Sequence, residues 1–375
     1  MNTSSKMIYK FSFLLMLFFG INSMGFSQNS PLNVKFSVCQ SVYKLPPSTK
    51  INGEIDWHFA DSSTTRKLIK KAMTVARQKF GNEKPKLLLI MGRAEDKLAI
   101  KAAIEAANVD NIPYIFDGSN WAEYTVIGPA AVTHQLQQSF IVVAMGGNAD
   151  YQIHSLHVPM FKDPYWSLEQ KYGKDSTAKI LAVEKIKYLQ SAKALAHQFD
   201  TTRVGKKVYI QLGNFHTPRQ NWVLEGISEV FKNMNIVGGA QADWGWQIID
   251  GKLVESTLYG IMISGDFTVS QAMGARNKEE ALHIQSDRIL KSALSNSVQK
   301  PDFALYFGCA GWNSDHSNQY RVIRKLLPNT TFFGRFNGGE IGRFVNNGQS
   351  QAGIDLLSVL FIKNLKINSL NKKKL

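Results

Sequence analysis

Apolar positions along the chain fall into short continuous runs, each closed by glycine and followed by a segment of helical spacing. Leu87-Leu88-Leu89-Ile90-Met91-Gly92 is the first run, Val208-Tyr209-Ile210-Gln211-Leu212-Gly213 the second and Phe303-Ala304-Leu305-Tyr306-Phe307-Gly308 the third. Runs of this length and residue type predict buried strands. After each glycine comes a polar turn and then a predicted amphipathic helix: Asp96–Ala107, Pro218–Asn233 and Asp315–Leu327. Proline suits the first turn of the second. Each helix leads to a short strand and a turn of small residues: Asp117-Gly118-Ser119-Asn120-Trp121, Gly239-Ala240-Gln241-Ala242-Asp243-Trp244, and Asn337-Gly338-Gly339-Glu340. A further apolar strand closes each unit, at Phe140–Met145, Leu258–Ser264 and Leu356–Ile362. From Gly92 to Gly146 is 54 residues and from Gly213 to Gly265 is 52, so order and spacing both repeat.

Helices are also predicted before the units. Asp61-Ser62-Ser63 offers an N-cap ahead of Leu68, Ala72, Val75 and Ala76, and Gly81 a C-cap. Ser176–Phe199 and Lys278–Leu294 have apolar residues at helical spacing. The expected fold class is α/β, with layered mixed sheets built from three repeated strand–helix–strand–turn–strand units in a pseudo-symmetric arrangement. The expected divisions are residues 1–27 as a signal peptide, 28–83 as an N-terminal extension and helix, and 84–275 as two repeat units. The third unit is expected at 276–365 and a basic tail at 366–375.

The signal peptide rests on Lys6 and Lys10 before the apolar run Phe11–Phe19, with Gly25 and Ser27 as the small residues before a cut. That run is shorter than the roughly 20 residues that a bilayer span needs. The expected address is periplasmic or secreted, where disulfides are permitted. Cys39 and Cys309 are then open to pairing, or are two buried thiols. Without Lys6 and Lys10 the formal charge of +15 becomes +13, and five lysines in the last thirteen residues leave the body at +8. No stripe of cations interleaved with aromatics marks a nucleic-acid face.

Ile236-Val237-Gly238-Gly239-Ala240-Gln241-Ala242-Asp243, then a hairpin at Asp250-Gly251 and a strand ending Ser264-Gly265-Asp266, resembles the N-terminal part of FIST sensory domains. Phe303–Phe307, Gly308-Cys309-Ala310-Gly311, Phe333-Gly334 and Gly338-Gly339-Glu340-Ile341-Gly342 resemble the C-terminal part. The resemblance spans roughly Lys84 to Ile362. It implies a small-ligand sensor of signal transduction, with amino acids as ligands. Two departures accompany it: Trp312 and Asn313 stand where family members often carry arginine, and export is expected here, without a kinase or chemotaxis output module, where family members are usually cytosolic.

The expected ligand-binding residues are Asn214, Gly239, Asp243, Cys309, Asn337, Gly338, Gly339 and Glu340, with no cofactor, metal or catalytic residue assigned. Glycines at strand ends let backbone N–H groups approach a carboxylate, while Glu340 can pair with an ammonium group. The same residues also suit a tight turn with an exposed Glu, and Asp243 suits an Asx turn. Asn214, His216 and Arg219 share the turn after the second strand. The expected partners are the small-molecule ligand, an amino acid first, and a membrane receptor or envelope component. The enzyme alternative is a thiol hydrolase or transferase using Cys309 with His316, against which Asp315 reads more simply as a helix N-cap. A third alternative is an envelope interaction protein whose basic tail meets an anionic polymer. His154 and His157 with Asp150 lack a third close ligand for zinc, and Val158-Pro159 ends any helix there.

Overall fold

The computed structural model describes residues 31–365, except 45–48, 52–53, 57–58, 94–95, 120–125, 129–136, 159–164, 216–217, 242–244, 256, 276, 278, 296–299, 310–315, 346–347 and 354–355. The expected signal peptide and basic tail lie outside the described residues, as do Asp243, His216, Trp312, Asn313 and Asp315. Residues from Leu32 onward form one compact unit.

The first repeat comprises β1 (Val34–Lys44), the hairpin β2 (Thr49–Ile51) and β3 (Glu54–Asp56), α1 (Ser62–Gln78), β4 (Leu87–Arg93), α2 (Lys97–Ala107), β5 (Tyr114–Ser119), β6 (Val126–Ile127) and β7 (Gln137–Gly147). The second comprises β8 (Asp150–His157), α3 (Tyr165–Tyr172), α4 (Lys174–Ala196), β9 (Lys206–Asn214), α5 (Arg219–Val230), β10 (Asn235–Gln241), β11 (Gly245–Ile249), β12 (Lys252–Glu255) and β13 (Thr257–Gly265). The third comprises β14 (Phe267–Ala275), α6 (Leu282–Ser295), β15 (Phe303–Cys309), α7 (His316–Leu326), β16 (Thr331–Asn337), β17 (Gly339–Phe344), β18 (Gln349–Gly353) and β19 (Leu356–Asn364). The fold is α/β with three repeated, pseudo-symmetric units. Each unit is longer than expected, because a leading strand and helix precede the glycine-ended strand. The segment expected as an N-terminal extension supplies β1 and α1, which complete the first unit.

Each unit builds the same four-stranded core: β1-β7-β4-β5, β8-β13-β9-β10 and β14-β19-β15-β16. The middle pairs β4/β5, β9/β10 and β15/β16 are parallel, joined by α2, α5 and α7, and all other pairings in these cores are antiparallel. Each sheet is then extended by a neighbour. β11 and β12 of the second unit add to β5, β17 and β18 of the third add to β10, and β6 of the first adds to β16. The exchange runs second to first, third to second and first to third, so the three sheets close in a cycle.

Packing explains the strand sequences. Alternate residues of every core strand meet in one central cluster drawn from all three sheets, including Leu89, Met91, Ile210, Leu212, Leu305 and Phe307. The intervening residues pack against each unit's own helices in three separate clusters. Strands covered on both faces read as continuous apolar runs. α1 is anchored by Asp61, whose side chain accepts from Thr64 N at 2.7 Å, and it buries Leu68, Ile69, Ala72, Met73 and Ala76. The α4 segment departs from its expected amphipathic pattern: Val183 and Ile186 are exposed, while Glu184 is buried against Arg219.

Candidate functional site at the meeting of the sheets

One level of each sheet shares a common register. In the first sheet Ile141, Met91, Asp117 and Gln247 are paired across β7, β4, β5 and β11. The matching set in the second is Tyr259, Leu212, Gly239 and Glu340. In the third it is Ser358, Phe307, Arg335 and Val126. Side chains alternate along a strand, so Asp117 faces the centre with Ile115, and Arg335 with Phe333, both of the central cluster. The level toward the strand beginnings is apolar, with Val143, Leu89 and Ile115 in the first sheet, Ile261, Ile210 and Val237 in the second and Leu360, Leu305 and Phe333 in the third. A polar layer therefore sits on an apolar floor, at the carboxyl ends of the parallel strands. Such ends are where open α/β sheets commonly bind ligands.

The layer is charged and fully buried. Asp117, Gln247, Tyr259, Arg335, Glu340 and Ser358 are all 0% exposed. Asp117 accepts from Gln247 Nε2 at 3.0 Å, from Tyr259 OH at 2.7 Å and from Arg335 Nη1. Gln247 belongs to its own sheet, Tyr259 to the second and Arg335 to the third, so one carboxylate ties all three sheets together. Glu340 Oε2 accepts from Leu356 N at 3.4 Å. Repeat-equivalent positions thus hold Asp117, Gly239 and Arg335.

The sequence-derived candidates divide between this layer and its surroundings. Gly239 and Glu340 occupy it as register partners within β10 and β17, not in a turn. The expected exposed-turn Glu340 is thus corrected: β17 pairs with both β10 and β18, and Glu340 is enclosed. Gly238 has no room for a side chain, since a Cβ there would lie 1.9 Å from Gln211 O. Gly338 donates to Ala240 O at 3.1 Å and links β16 to β17, while Gly339 lies against Gln220 at the start of α5. Asn337 ends β16, paired in register with Cys309 at the end of β15. Asn214 ends β9 just beyond Gly213, whose φ of +133° is open to glycine, and is 1% exposed.

Cys309 packs into the apolar cluster under α6 and α7, and His316 stacks on the Phe336 ring with centroids 3.5 Å apart. Neither Cys39 nor Cys309 is in a disulfide, and both are buried. Burial pushes the Cys39 thiol upward, against the opposing pull of Lys79 and Lys71. Arg219, expected in a polar turn, begins α5 and makes a buried bidentate pair with Glu184 of α4, both contacts 3.1 Å. His154 and His157 lie on β8, where residues three apart face opposite sides. His154 meets Phe199 edge-on and His157 Nδ1 lies 2.9 Å from Glu255 O.

Asp117, Gln247, Tyr259, Arg335 and Ser358 were not among the sequence candidates. The repeat register carries the signal: Arg335 interrupts the Phe-rich strand Thr331–Asn337 at the position that Asp117 holds in the first unit.

No protein-family model matches the chain, and no curated protein matches it. Among solved structures, that of cyanuric acid hydrolase from A. caulinodans aligns over 87% of this chain and 100% of that chain, with 10% identity and a TM-score of 0.35.

Proposed function

We propose that this protein is an exported small-ligand-binding protein that takes a small polar molecule at the meeting of the three sheets and passes its state to a separate membrane or envelope partner. One observation carries the reading: a fully buried polar layer with both signs of charge lies on an apolar floor at the strand ends, in contact with all three repeats. Such a place is costly unless its groups are matched, and it couples an occupant to every sheet at once. The resemblance to FIST sensory domains points the same way and makes amino acids the first class to test.

A thermal-shift screen of the mature chain tests it. A ligand at a hundred times its dissociation constant stabilises by about 2.7 kcal/mol. Glu340→Gln keeps the acceptor for Leu356 N and removes the charge. With a cationic ligand group bound there, affinity falls roughly ten- to a hundredfold. Rapid selective alkylation of Cys309, with loss of turnover of a thioester probe, would replace the binding reading with thiol chemistry. Mass spectrometry of protein recovered from its host is expected to show a mature start near Gln28.

A further inference from the structure

We infer that the first repeat carries a second binding site, for the guanidinium group of a ligand, in the pocket where the Asp250-Gly251 turn meets the end of α2. This site is separate from the polar layer and does not rest on the reading above. Glu105, Asn108, Asn111, Tyr114 and Asp250 line it around a space of about 410 Å³.

The second repeat shows what belongs there. Ile115 and Val237 hold equivalent places in β5 and β10, and their partners on the extending strands are Ile249 and Gly342. The next residue is Asp250 in one case and Arg343 in the other. The helix ends correspond as closely. Asn108 N donates to Ile104 O and Phe231 N to Ile227 O, both at 2.8 Å, and Asn111 N and Met234 N then donate to Asn108 O and Phe231 O. The carbonyls of Ser228, Phe231 and Lys232 at the end of α5 therefore match those of Glu105, Asn108 and Val109 at the end of α2. Arg343 fills the place in the second repeat, donating to Ser228 O at 2.9 Å, Phe231 O at 3.0 Å and Lys232 O at 2.6 Å.

In the first repeat an anion replaces this tethered cation. The Asp250 carboxylate has no donor to offer those carbonyls. Its turn stands against Glu105, whose Oε1 would lie 3.5 Å from a Cβ on Gly251. Lys101 pairs with Glu105 from within the helix, whereas among the described residues Asp250 has no ion pair. Tyr114 adds a third group. It stands where Ile236 and Phe332 stand in the other repeats, is 6% exposed, and its hydroxyl has no hydrogen-bond partner. Burial, then the charges of Glu105 and Asp250, push that hydroxyl up to about 12, so it stays protonated beside both carboxylates. The C-terminal end of a helix favours a cation as well. Ile112 and Pro113 give the pocket an apolar wall, which suits an organic cation better than a calcium-like ion that calls for about six oxygen ligands or more. Guanidinium presents its donors in one planar fork and can serve the carbonyls and a carboxylate together.

The test is isothermal titration calorimetry of the protein with methylguanidinium, agmatine and the peptide acetyl-Gly-Arg-Gly-amide. Methylurea is the neutral control and butylammonium the control for charge without the planar fork. The guanidinium probes are expected to bind one to one, butylammonium about tenfold more weakly, and methylurea not at all. Asp250→Asn and Glu105→Gln are each expected to weaken the guanidinium probes about tenfold, and Tyr114→Phe about threefold. Asp287→Asn, which removes a surface charge on α6, is expected to leave them unchanged. Asparagine tolerates the left-handed backbone of Asp250 (φ +48°), and the other two changes keep side-chain shape, so native circular dichroism is expected throughout. Tighter binding of the peptide than of agmatine assigns the group to an arginine of a partner chain, and the reverse assigns it to a free small molecule. Failure of all three guanidinium probes to bind would overturn the inference, as would binding unchanged in both Asp250→Asn and Glu105→Gln. Butylammonium binding as tightly as methylguanidinium would overturn the guanidinium class.

Discussion

Replacing Asp117 by leucine is expected to be among the most damaging single changes in this protein. The substitution removes the acceptor of three side chains and leaves the Arg335 guanidinium 0% exposed without its carboxylate. Breaking a buried ion pair from one side costs about 3–5 kcal/mol. A folded unit of this size gains about 0.7 kcal/mol/K of entropy on unfolding, from about 2.1 cal/mol/K per residue, so the midpoint drops by about 4–7 °C. Arg335→Leu is expected to cost less, because Tyr259 and Gln247 still donate to Asp117. The double variant Asp117→Leu with Arg335→Leu restores an uncharged core and recovers about 2 kcal/mol or more of the summed losses. Urea unfolding followed by circular dichroism, supported by calorimetry, measures all four corners of this cycle. Additivity within about 0.5 kcal/mol would refute the reasoning, since it would mean that the two charges do not depend on each other.

Three further outcomes are expected. Gly238→Ala forces a methyl into the backbone of β9, where Gln211 O lies 1.9 Å from the ideal Cβ; overpacking of this kind costs about 1–3 kcal/mol, read as a lower urea midpoint. Under native conditions neither Cys39 nor Cys309 is expected to react quickly with iodoacetamide, whereas unfolding without reductant exposes both thiols, because both are buried and neither is in a disulfide; a single slow thiol or none would contradict this. Burial holds the His154 imidazole below its ordinary value of 6.5. The folded state therefore prefers the neutral ring, and the stability this contributes is present above pH 6.5 and lost as the pH falls below it. His154→Gln is expected to flatten that part of the profile, measured as unfolding midpoints between pH 5 and 7.

Much of the repeat was legible because its middle strands are covered on both faces, which writes them as unbroken apolar runs. Asp250-Gly251 also announced its hairpin, and φ values of +48° and +75° fit the turn. The leading strands were not legible. β8 reads Asp-Tyr-Gln-Ile-His-Ser-Leu-His and is half-buried along almost its whole length, so neither face carries a clean apolar pattern. The site was legible only in part. Gly239 and Glu340 stood out as a glycine-rich motif, but their partners Asp117 and Arg335 are 218 residues apart in sequence. Nothing local tells Arg335 that its counter-charge arrives from another sheet. The same gap hid the role of Glu340, whose burial depends on two neighbouring strands and not on its own turn.

The cyclic exchange of edge strands makes this single chain the covalent counterpart of a ring-shaped trimer. Each repeat presents a donor edge and an acceptor edge, a head-to-tail contact that would polymerise without end unless the rotation closed, and here it closes at three. During synthesis the acceptor edge of β5 is made long before β11 exists to cover it, whereas β6 must wait for β16. The nascent first repeat therefore carries an open strand edge of the kind that pairs with other chains. Removing any one repeat from the finished ring would expose two such edges, one on each surviving neighbour, and would open the polar layer to water from the side of the missing sheet.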